Sequence, residues 1–235
     1  WSRGVDTESY VTLNDPDLPL RYGLSPAFRP QRVTINYNWN LPFGSHQGFL
    51  DKLTSGWNLS GVTVVQSGVA LTVLDTRGGT VYGFGSGTVV NSTAQFVAGM
   101  TNANVATTGG DESRLGGSIL GGPGWLNKAA FVSTGPPVIG AGNGGAGGTG
   151  YGNGGYGETL GPGQFNWDVA LVKTTKVGGL REDATLQFRT EFFNAFNHAQ
   201  FNVPVSVDVS SSTFGQITST SVNPRLIQFA LKYSF

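Results

Sequence analysis

Hydrophobic and polar residues alternate with a period of two in five stretches of this chain. From Arg32, the run RVTINYNW sets Val33, Ile35, Tyr37 and Trp39 on one side and Thr34, Asn36 and Asn38 on the other. From Trp57, WNLSGVTVVQ sets Trp57, Leu59, Gly61, Thr63 and Val65 against Asn58, Ser60, Val62 and Val64. Phe165, Trp167, Val169 and Leu171 alternate with Asn166, Asp168, Ala170 and Val172, and Leu186, Phe188, Thr190 and Phe192 with Gln187, Arg189 and Glu191. The last run places Ile227, Phe229, Leu231, Tyr233 and Phe235 opposite Gln228, Ala230, Lys232 and Ser234. Such alternation predicts strands with two unlike faces. The first-named face carries no charge, and only Gly61, Thr63 and Thr190 interrupt its aliphatic and aromatic character. Every charge within the runs, namely Asp168, Arg189, Glu191 and Lys232, falls on the second face. Glycine, proline and asparagine break nearly every window long enough for a helix. The expected fold is all-β and antiparallel.

Two arrangements satisfy a period of two. In a soluble sandwich the apolar face meets a second sheet and the polar face meets water. In a membrane barrel the apolar face meets lipid and the polar face meets a lumen. Three features favour the barrel. Crossing an apolar band of about 25 Å at a tilt near 40° takes roughly ten residues, and the final run, Arg225 to Phe235, supplies eleven. The polar side is chiefly Asn, Ser, Thr and Gln, where a soluble sheet would normally carry more Lys and Glu. Trp39, Trp57, Phe165, Trp167, Tyr233 and Phe235 sit near the ends of the apolar stripes, where aromatic rings settle at a membrane–water boundary.

Connection lengths agree. The links from Trp39 to Trp57 and from Leu171 to Leu186 are the shorter ones, while those from Val65 to Phe165 and from Phe192 to Ile227 are long. That alternation is expected of hairpins with short periplasmic turns and long extracellular loops. Residues 68–164 are thus read as a long extracellular loop region. Within it lies a glycine-rich tract, 140–163, expected to be mobile or loosely coiled, because ordering glycine costs entropy and buries little. Hairpins such as Val69–Leu74 are candidates for extending the strands beyond the membrane.

Composition narrows the function. The chain has 235 residues with 14 basic and 14 acidic side chains, a net charge of zero. That removes the electrostatic case for a nucleic-acid partner or a polybasic membrane-surface module. Charged residues make up 12% of the chain, about half the roughly 25% usual in soluble domains. There is no cysteine, hence no disulfide and no thiolate metal site, and the only histidines are His46 and His198. No apolar run reaches the ~18 residues of a membrane helix. The chain opens at Trp1 and is read as part of something longer.

Candidate chemistry is sparse. Gly140, Gly142 and Gly145 match G-x-G-x-x-G, but no helix pattern follows, so a chance match within a glycine tract is the reading adopted. His198 with Glu191 or Asp208 and a serine of Ser210–Ser212 would make a triad on paper; a surface hydrogen-bonding histidine is the simpler account. Asp111 and Glu112 form one carboxylate pair, too few for a hard-cation site without further ligands. The sequons at Asn58 and Asn91 carry little specificity. Arg189 and Glu191, two apart on one polar face, read equally as a lumen pair or a surface pair. No catalytic, cofactor or metal residues are assigned. The most specific segment is the terminal NPRLIQFALKYSF, with Ile227, Phe229, Leu231, Tyr233 and Phe235 as its assembly and lipid-facing residues. A chain end of this kind suits an address for a membrane-insertion machine.

Several stretches, in order, resemble the C-terminal end of the Oar-like TonB-dependent outer-membrane receptors. They are RPQR (Arg29 to Arg32), YNWNLPFG (Tyr37 to Gly44), GWNLSGVTVVQSG (Gly56 to Gly68), WLNKAAF (Trp125 to Phe131), GPGQFNWDVALVK (Gly161 to Lys173), LQFRTEFFNAFNHAQFN (Leu186 to Asn202) and the terminal run. The resemblance covers residues 20 to 235 apart from the glycine tract and the 75–120 region. It implies five to seven C-terminal strands of a plugged outer-membrane barrel of about 22 strands, with plug and N-terminal domain absent from this chain. It also implies energy-coupled uptake of an unidentified ligand, with no enzymatic activity and no cofactor. The partners implied are outer-membrane lipid, the barrel-assembly machinery and a TonB-type energy coupler acting through the missing plug. Asp168, Arg189, Glu191 and Lys232 would then face the lumen. The competing expectation is a soluble or cell-surface β-sandwich acting as an adhesin or binding module.

Overall fold

Alternating β-branched and aromatic residues suit a pleated, half-covered surface, and each of the five runs forms a strand. The computed structural model describes residues 5–6, 23–43, 49–75, 92–117, 121–132, 152–178 and 183–235. The long strands are β1 (Arg32–Asn40), β2 (Trp57–Gln66), β3 (Gln164–Lys176), β4 (Thr185–Phe193) and β5 (Leu226–Ser234). They are 9, 10, 13, 9 and 9 residues long, close to the roughly ten residues that a tilted membrane-crossing strand needs. A short helix, α1 (Phe49–Thr54), lies in the link between β1 and β2.

The chain divides into two compact units. The first, the sheet unit, comprises Arg32–Gln66, Gln164–Gln200 and Thr220–Phe235. Its five strands follow one another in chain order, each antiparallel to the next. That topology sends links 41–56 and 177–184 from one end of the sheet and links 67–163 and 194–225 from the other. The alternation of shorter and longer links therefore has the two-ended geometry its parity predicts. Strand β3 continues to Lys176 because Thr174, Thr175 and Lys176 keep pairing with Gln187, Leu186 and Thr185.

The second unit, the link unit, comprises Trp1–Gln31, Ser67–Gly163 and Phe201–Ser219. It has its own hydrophobic core, drawn from both long links: Val73, Val105, Trp125, Leu126 and Phe131 from the first, Val209, Phe214 and Ile217 from the second. Val73 and Val105 are fully enclosed. The Arg114 guanidinium lies 3.5 Å from the centroid of the Trp125 ring, whose Nε1 donates to the Leu160 carbonyl at 2.9 Å. Gly215, at φ +71°, brings the second link against the Leu126 backbone, where a side chain would be both strained and crowded.

This unit changes the picture of the glycine tract. Residues 140–151 lie outside the described residues, but 152–163 are packed rather than loosely coiled. Tyr156 and Glu158 are buried, and Thr159–Leu160 pairs with Ala70–Leu71. Glycine is used there for close approach: Gly157 N–H donates to Thr72 Oγ1, and Gly155 N–H to a Glu158 carboxylate oxygen at 2.7 Å. The segment Val69–Leu74 does carry strand pairing, through Ala70–Leu71 and through Leu74–Asp75 with Ser92–Thr93. No described helix is long and apolar enough to cross a membrane, which says nothing of strands.

Candidate membrane face and polar face

The strand register sorts the side chains of the sheet unit. Val33, Val65 and Phe165 lie side by side across β1, β2 and β3; so do Ile35, Thr63 and Trp167, then Tyr37, Gly61 and Val169, then Trp39, Leu59 and Leu171. The row continues through β4 and β5, with Val169 opposite Phe192 and Phe192 opposite Ile227, and Leu171 opposite Thr190 and Thr190 opposite Phe229. Because side chains alternate in a strand, these pairings put every first-named residue on one continuous face.

That face is open. Phe229 is 66% exposed, Leu231 68% and Phe235 70%, with Val33, Ile35, Trp39 and Ile227 also exposed. No opposing layer of described residues covers them, as a sandwich would require. The interruptions of the apolar face are its covered positions: Thr63 and Thr190 are buried among larger neighbours, and Gly61 lies beneath the Tyr37 ring. Aromatic rings mark both ends of the face. Phe165, Trp167 and Phe196 form edge-on contacts at 6.0 and 5.5 Å at one end, and Tyr233 and Phe235 lie 5.6 Å apart at the other. Lys173 also falls on this face, opposite Trp57 and Phe188, a position the alternation pattern did not reach. Its ammonium lies 5.7 Å from the Trp57 ring centroid and donates to the Ser55 carbonyl, so the charge turns toward the strand end.

Asp168, Arg189, Glu191 and Lys232 share the opposite face: Asp168 pairs with Val62, Glu191 with Ala170 and Gln228, Arg189 with Val172 and Ala230, and Lys232 with Gln187. Arg189 donates to Glu191 Oε1 through Nε at 2.9 Å and Nη2 at 2.5 Å. Asp168 does not join them; its Oδ1 accepts from Asn166 Nδ2 at 3.1 Å and from the Asn194 backbone N–H at 2.9 Å. Two clefts open on this side, of about 290 and 420 Å³, and Asp168 and Phe193 line both.

Beyond its pairing with β4, strand β3 runs on toward Gln164, where its exposed edge needs other partners. The segment FNAFNHAQ (Phe193 to Gln200) supplies them. Asn194 and Asn197 adopt left-handed backbones at φ +50° and +52°, which turn the chain back. Ala195 N–H then donates to the Trp167 carbonyl at 2.8 Å. The Gln200 carboxamide finishes the edge: its Oε1 accepts from Phe165 N–H at 2.7 Å, and its Nε2 donates to Phe165 C=O at 2.5 Å. Asn194 closes the turn, its Oδ1 accepting from His198 N–H and its Nδ2 donating to the carbonyls of His198 and Asn223. Reading by alternation missed Gln200 and Asn194; the available signal was amide side chains spaced through an aromatic segment that follows a strand.

The candidate triad is not assembled among the described residues. His198 Nδ1 lies 2.9 Å from Gln200 Nε2, Glu191 is held by Arg189, and Asp208 accepts from Ser210. Asp111 pairs with Arg114 at 3.2 Å on one turn of 3₁₀ helix. Gly140, Gly142, Gly145, His46 and Asn91 lie outside the described residues.

Against known proteins, the family model described as outer membrane beta barrel domain matches residues 1–228 of this chain. No curated protein and no solved structure matches it.

Proposed function

We propose a function from one premise: the chain belongs to the family of outer membrane beta barrel domains and resides in the bacterial outer membrane. On this reading it forms C-terminal wall strands of an Oar-like, TonB-dependent receptor that takes up an unidentified ligand. The apolar face meets lipid; Asp168, Arg189, Glu191 and Lys232 line the lumen; links 67–163 and 194–225 lie outside the cell. Five strands are too few to close a barrel, for which about eight is the practical minimum. The edges of β1 and β5 therefore pair with further wall strands. Catalysis and cofactors have no part in this reading.

The observation that carries the membrane reading is the in-register sorting of side chains across all five strands, with the apolar side left open. The receptor reading is supported by two long links that fold into a core of their own. A transporter that captures ligand outside the cell needs shaped, not merely long, outer segments. It is supported too by the terminal strand, whose apolar residues recur at every second position to Phe235.

Energy coupling is testable without knowing the ligand. The intact outer-membrane protein carrying this chain, purified in detergent, should be retained on the immobilised periplasmic domain of its TonB-type coupler. Loss of retention on removing the plug is expected. Failure of the intact protein to bind would leave an outer-membrane barrel and overturn the TonB-dependent assignment.

A further inference from the structure

The larger of the two clefts, about 420 Å³, opens where β3, β4 and β5 reach link 194–225. Part of its wall is apolar on a face that is otherwise polar. Phe193 follows Phe192 and so falls on the opposite side of β4, where it stands across from Leu226 of β5; both are exposed. Asn166 and Asp168 of β3 line the same cleft, and Asn223 and Gln228 add exposed amides. Asp168 is the one charged side chain in the lining among the described residues.

Two oxygens of this lining lack a donor. The Asn166 carboxamide is oriented by its bond to Asp168 Oδ1, because reversing it would set oxygen against carboxylate. Asn166 Oδ1 is then left enclosed with no hydrogen-bond partner, a costly state for a buried acceptor. Asp168 Oδ1 accepts from Asn166 and from the Asn194 backbone, while Oδ2 accepts from no described residue. Arg189 lines the neighbouring cleft with Asp168, yet it gives both Nε and Nη2 to Glu191 and forms no ion pair with Asp168.

We propose that this cleft is a subsite for a cationic group of the ligand, an ammonium or guanidinium carried on an apolar body. Its N–H groups donate to Asp168 Oδ2 and Asn166 Oδ1, and the carboxylate meets its charge. Phe193 offers the same cation a π-system, and Leu226 an apolar contact for the body that carries it. A neutral polyol donates hydrogen bonds too but leaves the carboxylate charge uncompensated, and an anion is repelled. The inference rests on the transport reading, which sets this cleft toward the outer mouth of the lumen, where captured ligand enters.

Ligand-observed NMR titrations of the intact outer-membrane protein in a non-ionic detergent test the subsite. The probes are phenethylammonium and its uncharged counterpart, phenethyl alcohol. The ammonium should bind roughly tenfold more tightly or better, the margin of one charge-assisted hydrogen bond. Asp168→Asn keeps an oxygen for the Asn194 N–H but removes the charge, and should bring the ammonium down to the affinity of the alcohol. Equal binding of the two probes by the native protein, an ammonium affinity untouched by Asp168→Asn, or tighter binding of methyl glucoside overturns the proposal. Should Asp168→Asn not fold, Phe193→Leu decides: losing the ring should weaken the ammonium about two- to fivefold, and an unchanged affinity refutes the subsite. Retention on the TonB-type coupler is read separately. Selectivity absent with retention intact removes the subsite and keeps the receptor; selectivity present without retention supports the cation cleft and removes the receptor.

Discussion

The ring of Tyr37 on β1 lies over Gly61 on β2, so close that a β-carbon at residue 61 would collide with the phenol oxygen and sit 2.6 Å from Cζ. Gly61 is thus the space into which an aromatic ring from the neighbouring strand folds, toward Trp167 at 6.5 Å. Gly61→Val should therefore destabilise the sheet by about 1–3 kcal/mol, the usual cost of overpacking. The temperature at which the protein loses its heat-modifiable mobility in SDS gels would report this. Tyr37→Ala combined with Gly61→Val should recover only the share due to the ring, because the Asp168 backbone carbonyl on β3 crowds the same β-carbon.

Sidedness is open to a paired substitution. Phe229 and Gln228 are adjacent on β5 but on opposite faces. Phe229→Arg should cost about 2–4 kcal/mol if that side meets hydrocarbon near the bilayer centre. Gln228→Arg, beside the Arg189–Glu191 pair, should cost little. Refolding titrations into lipid vesicles measure both, and equal costs would contradict a lipid-facing apolar side.

The chain end offers a second test of assembly. Phe235 is exposed, its ring tilted against that of Tyr233 at 5.6 Å. If it serves the insertion machinery, deleting it should lower the outer-membrane level of the protein about tenfold, the loss of one phenylalanine contact. Quantitative blotting of membrane fractions gives the answer, and an unchanged level would remove the terminal strand from that role.

Asn194 combines a left-handed backbone with three side-chain hydrogen bonds. Asn194→Ala loses both, for about 2–4 kcal/mol in total. Asn194→Gly keeps the backbone freedom and should lose less. Urea denaturation of the two variants separates the conformational part from the hydrogen-bonded part.

For Arg189 and Glu191 a small effect is expected. The Arg189 side chain is 48% exposed, so screening by solvent leaves the pair a coupling of about 0.2–1 kcal/mol. A double-mutant cycle with Arg189→Met and Glu191→Gln would measure it, and a much larger value would mean a water-excluding partner over this face.

The strands were legible in the sequence because their signal is local. Val33 to Trp39 and Leu186 to Phe192 alternate over consecutive residues, and a side chain's face depends only on whether its position is odd or even along the strand. The charges Asp168, Arg189, Glu191 and Lys232 could be assigned to one face for the same reason, and the register bears that out. Lys173 escaped because the pattern changes where the strand approaches its end, and a lysine there is tolerated by bending its charge toward Ser55.

What the sequence determined by itself, then, was the two-sided character of five ribbons and the order of short and long links between them. Only the tertiary structure decided that the long links have a core of their own, because Val73, Trp125 and Ile217 are brought together across distant segments that show no local period. It also decided that Gln200, an unremarkable amide in the sequence, completes the edge of β3. A side chain that replaces a strand is selected by the donor and acceptor it must meet, and those belong to a residue 35 positions away.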